Sequence, residues 1–471
     1  LSLTGLLFTF AFLAGCLLAL ARHPIFGVVT YIATFFLSPP LRWWGQGILL
    51  NVRWALIAAA VTLLAVFFGN KVKKPVLGFM SQWPTIALLL FIAWLGVQSL
   101  WALDRAEHGE LLSYYVKFML SLFLIYRCVD SVAHLRMLLW TFVLGCFYFG
   151  WIAFTTYEGG RFEGFGGAGI GEANAGALTI VIGTFCASAL FLTGSKRERI
   201  VLFVLIPIIL NGLVTTISRS GFLALAAGGL VFNFFTPKRL AKIVRVLSVL
   251  ALVMFLLLTG PSYWSRMQSI KALGAESAEQ DTGSGRLVLI QAQLKMFASH
   301  PLGCGATCTV VLSPQYMTGD MLTEVVAGGP RVRASHNTYM TMLVEHGIPG
   351  IALFLSLLVW CLFSLRKLSR LYADDPGLMR AMIPAAAGII TAMYIADLFV
   401  TYAKFEVRIW FFGVLMIMLN LAAATAKERA AAKTADSRKP VGAALPAANP
   451  TPYSGNRPRP QRQTRTSPGG G

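Results

Sequence analysis

The sequence predicts an all-α polytopic membrane protein with about twelve transmembrane helices. Three observations carry that reading. Of 471 residues, 56% are hydrophobic and 13% charged, too few charges to cover a water-facing surface. Apolar runs long enough to cross a bilayer recur along nearly the whole chain. Basic residues gather in short loops between those runs: "KVKK" at 71–74, "KRER" at 196–199, "PKRLAKIVR" at 237–245 and "RKLSR" at 366–370.

Spans are read near 3–21, 50–69, 84–101, 111–126, 135–157, 173–193, 200–217, 221–235, 245–259, 347–365, 380–400 and 409–425. The run 25–38 ends in "SPP" and is short for a span, so it reads as re-entrant or as half of a broken helix. Every strongly basic loop then falls on one side, the cytoplasm, because Lys and Arg resist translocation. Both termini share that side. A crossing by 25–38 would move the N-terminus outside and raise the count to thirteen. The first apolar run is too long for a cleavable signal peptide, and the missing initiator Met reads as a trimmed start.

The net charge of +20 does not point to nucleic acid. Its clusters serve as topology signals and meet anionic lipid headgroups. Residues 1–426 form the membrane domain, and 260–346 form one large outward loop within it. Residues 427–471, rich in Ala, Pro, Arg and Gly, read as a disordered basic cytoplasmic tail. In the loop, "RLVLIQAQLKMF" (286–297) places 287, 290, 294 and 297 at helical spacing. Gln291, Gln293 and Lys295 fall elsewhere, so this amphipathic helix suits the membrane interface.

The seven cysteines show no zinc-ligand spacing. Cys304 and Cys308, in "PLGCGATC", would pair only in an oxidising compartment, and two unpaired thiols are the default reading.

Three residues on the outward side carry polarity that topology does not need. Arg219 occupies "TISRSG", a hairpin too short to leave the membrane surface, between Ser218 and Ser220. Arg286 opens the amphipathic helix, with Ser284 as a cap, near exposed backbone N–H groups. His336 follows Arg331 and Arg333 in "RVRASHNTYMTMLVEHGIPG". Ser335 reads as the N-cap, which puts His336 in the first turn on a face with Tyr339, Met340, Leu343 and Gly347. A helix N-terminus favours the neutral, proton-accepting imidazole. The outward loops hold no paired carboxylates, DxD or His-rich metal spacing. Phosphate handled without a metal needs Arg or Lys, and arginines plus one base outline group transfer from a lipid diphosphate with no cofactor.

"TTISRSG", "GRLVLIQAQLKMFASHPLGCG" and "SHNTYMTMLVEHGIPG" resemble the signature blocks of the O-antigen ligase family, within the O-antigen ligase/polymerase superfamily. The most specific part is His336-Asn337 followed by Glu345, Gly347 and Gly350. "RFEGFGGAGIGEANAGA" is similar to the family's Arg…Gly…Asn segment, with Arg161 and Asn174 in the matching places. The resemblance covers about residues 100–420. It implies a twelve-span fold of the membrane glycosyltransferase (GT-C) kind in the bacterial inner membrane, with the site at the periplasmic face. It further implies an undecaprenyl-diphosphate-linked O-antigen as donor and metal-independent, inverting transfer. His336 would be the catalytic base, and Arg219 and Arg286 would bind the diphosphate. Arg161, Asn174, Arg331, Arg333, Asn337, Tyr339, Glu345 and Asp397 are supporting candidates. Asp397 is equally well read as a buried structural group.

The loop length and the lack of an appended domain favour a ligase with lipid A–core as acceptor. Polymerase and protein O-oligosaccharyltransferase readings use the same donor. A lipid-linked glycan transporter ranks lower, because the cations lie at one face and no internal symmetry is evident.

Overall fold

The computed structural model describes residues 2–69, 71–167, 169–260, 283–319, 322, 324–325, 331–373 and 375–437. The chain divides into two units, Leu1–Thr425 and Ala426–Gly471. In the second unit the tail expected to be disordered is helical as far as Ser437, and 438–471 lie outside the described residues.

The fold is helical. In order the helices are α1 Leu3–Ala21, α2 Ile25–Leu37, α3 Trp54–Phe68, α4 Trp83–Gln98, α5 Arg105–Cys128, α6 Val132–Thr156, α7 Ala173–Thr193 and α8 Lys196–Thr215. They continue with α9 Arg219–Phe235, α10 Lys238–Leu258, α11 Gly283–Ser299, α12 Cys308–Tyr316, α13 Thr338–Leu371, α14 Leu378–Ala396 and α15 Glu406–Ser437. One antiparallel pair, β1 Glu324–Val325 with β2 Arg331–Val332, is the only strand structure among the described residues. Short polar side chains start many of the helices. Asp104, Ser131 and Ser218 each accept a hydrogen bond from a first-turn N–H, and Ser195 forms a capping box with Glu198.

Among the described residues, nine helices are long and apolar enough to cross a membrane. The shorter α2, α3, α4 and α9 are apolar too. This is a multi-pass membrane protein. The reading of the spans is corrected at α2. Lys71 Nζ donates to the Leu20 and Ala21 carbonyls, and His23 lies 3.4 Å from Asp130 in the α5–α6 turn. The start of α2 therefore sits at the end of the bundle that carries the basic loops. Beyond its other end, Arg42 donates to the Gly164 and Phe165 carbonyls, in the loop before α7. So α2 runs from one end to the other instead of re-entering, and residues 2–5 stand opposite the basic end, with Gly5 against the Trp44 carbonyl. Thirteen residues suffice because three 3-10 turns between Pro39 and Leu49 extend the path.

The core is built where helices lose their side chains. A Cβ on Gly228 of α9 would stand 2.6 Å from the Gly388 carbonyl of α14, and one on Gly212 of α8 would stand 2.8 Å from Gly150 Cα of α6. Small residues at such crossings let backbones close up, which is how membrane helices gain packing without a hydrophobic driving force. α7 and α14 are buried nearly all round, whereas α10 lies on the outside. On α11 the stripe expected at the membrane interface is partly exposed. Leu287 and Leu294 are exposed, and Leu289, Ala292, Gln293 and Met296 are buried against α12 and the start of α13. This helix packs on protein through its smaller stripe, leaving Leu287 and Leu294 on its outer side.

Candidate active site

The turn between α8 and α9 holds Arg219 by local chemistry. Ile217 adopts a left-handed backbone (φ 45°), which reverses the chain within two residues of the end of α8. Thr216 Oγ1 accepts the Ser218 N–H at 3.2 Å, and Ser218 Oγ then caps α9 by accepting Gly221 N–H at 3.1 Å. Arg219 is thus the first residue of α9, partly buried, at the positive end of that helix. Asn174, in the first turn of α7, accepts from Ser218 Oγ at 2.7 Å and from Ser220 Oγ at 3.4 Å. Phe162 N–H donates to the Thr215 carbonyl at 3.0 Å, which brings neighbouring Arg161 to the same turn. The Arg161 guanidinium lies 3.5 Å from Glu163.

His336 does not stand in a helical turn, as the sequence reading had it. Its φ is 47°, left-handed, and α13 begins two residues later. Asn337, not Ser335, is the N-cap, accepting Met340 N–H at 3.1 Å. Asparagine is as good a cap as serine and is two residues nearer the helix, so it takes the position. His336 is therefore offered on a strained loop residue just ahead of the helix, partly exposed, without the face it was expected to share with Tyr339 and Met340. Tyr339 points away, its hydroxyl donating to the Tyr394 carbonyl of α14 at 2.9 Å.

The segment 397–402, between α14 and α15, joins the two groups. Thr338 N–H donates to the Asp397 carbonyl at 2.8 Å, and Thr338 Oγ1 donates to the Val400 carbonyl at 2.8 Å. Tyr402 N–H donates to Thr338 Oγ1 at 3.0 Å, while its phenol donates to the Asn174 carbonyl at 3.2 Å. Burial pushes the Tyr402 hydroxyl up in pKa, so it stays a donor. Asn174, Arg219, Tyr402, Thr338 and His336 are thereby connected at the end of the bundle opposite the basic loops.

The other predicted residues are scattered around this group. Arg331 is exposed on β2, and Arg333 N–H donates to Ser313 Oγ at 2.9 Å. Arg286 lies on α11, but its side chain is outside the described residues; Ser284, expected to cap that helix, sits inside its first turn. Asp397 is fully buried and pairs with Arg408. Glu345 is buried and accepts from the Thr309 hydroxyl, at the start of α12.

The Glu345–Gly347 motif has a structural explanation. Gly347 has φ 66° and ψ −165°, so α13 breaks there. A Cβ at that position would stand 2.3 Å from Leu302 C and 2.6 Å from Gly303 N. Residues 301–306 thread through this gap. Ile348 N–H donates to the Pro301 carbonyl, Gly305 N–H to the Glu345 carbonyl, and Ala306 N–H to His108 Nδ1. Cys304 and Cys308 are joined by a disulfide at a Cα–Cα distance of 5.8 Å, against the expectation of two thiols. The turn formed by Gly303 and Gly305, both at positive φ, brings the two residues together.

Two carboxylates, Glu107 and Glu110, share the Lys404 ammonium at 3.0 and 3.4 Å, a pairing that the sequence reading of the outward loops missed. Among the described residues, one group has metal-ligand spacing: His23, Asp130 and His134, at the basic end. There His23 Nδ1 accepts Ile25 N–H at 3.1 Å, which leaves the proton of the neutral ring on Nε2, facing Asp130. This is a hydrogen-bonded clamp between turns, remote from Arg219 and His336. Tyr402 and Thr338 went unnoticed in the sequence. The available signal was the polar interruption "TYAKFEVR" at 401–408 between two apolar runs.

Residues 201–355 match the model of the O-antigen ligase (Wzy_C) family, a stretch that includes Arg219, Arg286 and His336. No curated protein matches the chain.

Proposed function

We propose that this chain, which carries an O-antigen ligase-family domain over residues 201–355, is an inverting glycosyltransferase that ligates O-antigen polysaccharide from undecaprenyl diphosphate onto a lipid A–core hydroxyl at the periplasmic face of the inner membrane. The observation that carries the reading is the hydrogen-bonded connection between the Arg219 turn and the His336 loop at one end of the bundle, through Asn174, Tyr402 and Thr338. A lipid brings its diphosphate to the depth of that end, and a cation at a helix N-terminus suits it.

In this mechanism His336 accepts the proton of the acceptor hydroxyl as its oxygen attacks the anomeric carbon. The bond from that carbon to the diphosphate oxygen breaks on the opposite face, inverting the centre. Undecaprenyl diphosphate departs with the electron pair, stabilised by Arg219 and Arg286 as charge develops. A positioned base contributes roughly 10²–10⁴-fold and fixed cations a comparable factor. The buried hydroxyls of Ser218 and Ser220 hold the Arg219 turn to Asn174.

The test uses purified protein, an undecaprenyl-diphosphate glycan and lipid A–core, with EDTA present. Wild type is expected to form a lipopolysaccharide ladder, and folded His336→Ala to lose it by at least a hundredfold. Full activity in the variant removes His336 from the mechanism. A wild type that extends the glycan or modifies a protein, but not lipid A–core, replaces the ligase with the polymerase or protein-acceptor reading.

A further inference from the structure

Segment 397–402 contacts both halves of the candidate site. Toward the His336 loop it is held many times over: by Thr338 N–H and Oγ1, by Asn337 Nδ2 on the Leu398 carbonyl at 3.4 Å, and by Thr341 against Thr401 at 3.1 Å. Toward the Arg219 turn it reaches out through Tyr402. The phenol donates to the carbonyl of Asn174, whose side chain accepts from Ser218 and Ser220 on either side of Arg219. Its backbone N–H meanwhile ends on Thr338, two residues beyond His336. One buried residue therefore touches both halves of the candidate site.

We propose that Tyr402 is a positioning residue that sets the spacing between His336 and Arg219, using its hydroxyl on the Asn174 side and its backbone N–H on the Thr338 side. The inference rests on the transfer reaction given above. The two halves come from elements far apart in sequence, and Tyr402 bonds to both. A base and a diphosphate clamp act together only when the acceptor oxygen, anomeric carbon and leaving oxygen are aligned, and a misplacement of about 1 Å can cost ~10²-fold. Tyr402 itself touches no reacting atom in this scheme.

Tyr402→Phe deletes the hydroxyl and keeps the ring, which packs on Phe405 at 5.3 Å, and the backbone bond to Thr338. Ladder formation is measured for wild type, Tyr402→Phe, Arg219→Lys and the double variant, each normalised to the folded fraction by size exclusion and thermal melting. The expected result is a kcat about tenfold lower for Tyr402→Phe, with the donor KM within about twofold of wild type. In the Arg219→Lys background the same change should cost less than about twofold, because the diphosphate clamp that the spacing serves is already impaired. A general packing defect would instead multiply equally through both backgrounds, and that outcome overturns the proposal, as does a Tyr402→Phe enzyme equal to wild type. If Tyr402→Phe fails to fold, Thr338→Val breaks the same link from the other side and should give the same coupled loss. A wild type that transfers glycan to no acceptor defeats the proposed function instead, a result distinguishable from either.

Discussion

Asp397 and Arg408 meet at 2.5 Å, with the carboxylate fully buried and the guanidinium 7% exposed. The guanidinium also lies over the rings of Phe354 and Tyr394, at 5.2 and 5.8 Å. The pair joins the end of α14 to the start of α15, clamping both ends of the segment that carries Tyr402. Taking two charges out of water is costly, so their mutual attraction is what makes the arrangement tolerable. Removing one partner strands the other.

Arg408→Met or Asp397→Leu alone should therefore destabilise by about 3–5 kcal/mol. The double variant should recover more than half of the summed loss. Melting of the detergent-solubilised protein checks this, and additive single losses would show that the two groups do not act as a pair.

Gly347 and Gly96 make a matched test of the kink. Gly347 has φ 66° and backbone from residues 301–303 pressed against it, whereas nothing lies within 4 Å of a Cβ built on Gly96. Alanine at Gly347 must shift either the helix break or the 301–306 turn, and should cost several kcal/mol by strain and overlap together. Alanine at Gly96, inside α4, should be neutral or stabilise by about 0.5–1 kcal/mol. Equal melting temperatures for the two variants would refute the account of the kink.

The crossing by α2 predicts opposite sidedness for two exposed residues. Trp43 follows α2 at the site end, and Lys71 sits with Leu20 and Ala21 at the basic end. Trp43→Cys and Lys71→Cys should react with an impermeant maleimide from opposite faces of sealed vesicles. Labelling of both from the same face would restore the re-entrant reading.

Much of the fold was legible because periodicity and charge placement are local properties. The spans near 173–193 and 200–217 needed only their own residues. What failed depended on tertiary partners. The length of 25–38 argued for a re-entrant turn, and only the neighbours of His23 and Arg42 show it crossing. Ser335 and Asn337 are both good caps, and the left-handed φ of His336 decided between them. On α11 the periodicity showed the Leu287 and Leu294 stripe, but not that α12 and α13 cover the Leu289 and Met296 side. Tyr402 carries no motif at all; its position matters because folding brings Asn174 and Thr338 to either side of it.

The disulfide gives a thiol count. Cys16, Cys128, Cys146, Cys186 and Cys361 are free, and Cys304–Cys308 is bonded. Alkylation of the denatured, unreduced protein should tag five cysteines by mass spectrometry, and reduction should raise that to all seven. Seven tags before reduction would mean that the pair is open.

The clamp at the basic end predicts how stability depends on pH. Asp130 accepts Lys73 N–H at 3.0 Å and His134 Nδ1–H at 2.7 Å, with His23 Nε2 at 3.4 Å. Burial would raise its pKa, but the bonds from Lys73 and His134 outweigh that and hold it below the ordinary carboxylate range. A lowered carboxyl means that the unfolded chain binds the proton more readily. Its stabilisation is then complete above the unfolded value of about 3.9 and is lost as pH falls through the lower folded value. His23 is held below its usual value by burial and by His134, with Lys71 acting the same way against Asp130, so its protonation adds a loss in the same direction at higher pH. Asp130→Asn should therefore melt below wild type at pH 7, and the gap should narrow as the pH is lowered below 4. Melting curves between pH 7 and 3 decide the matter: a gap that stays constant would assign the loss to packing and not to the charge of Asp130.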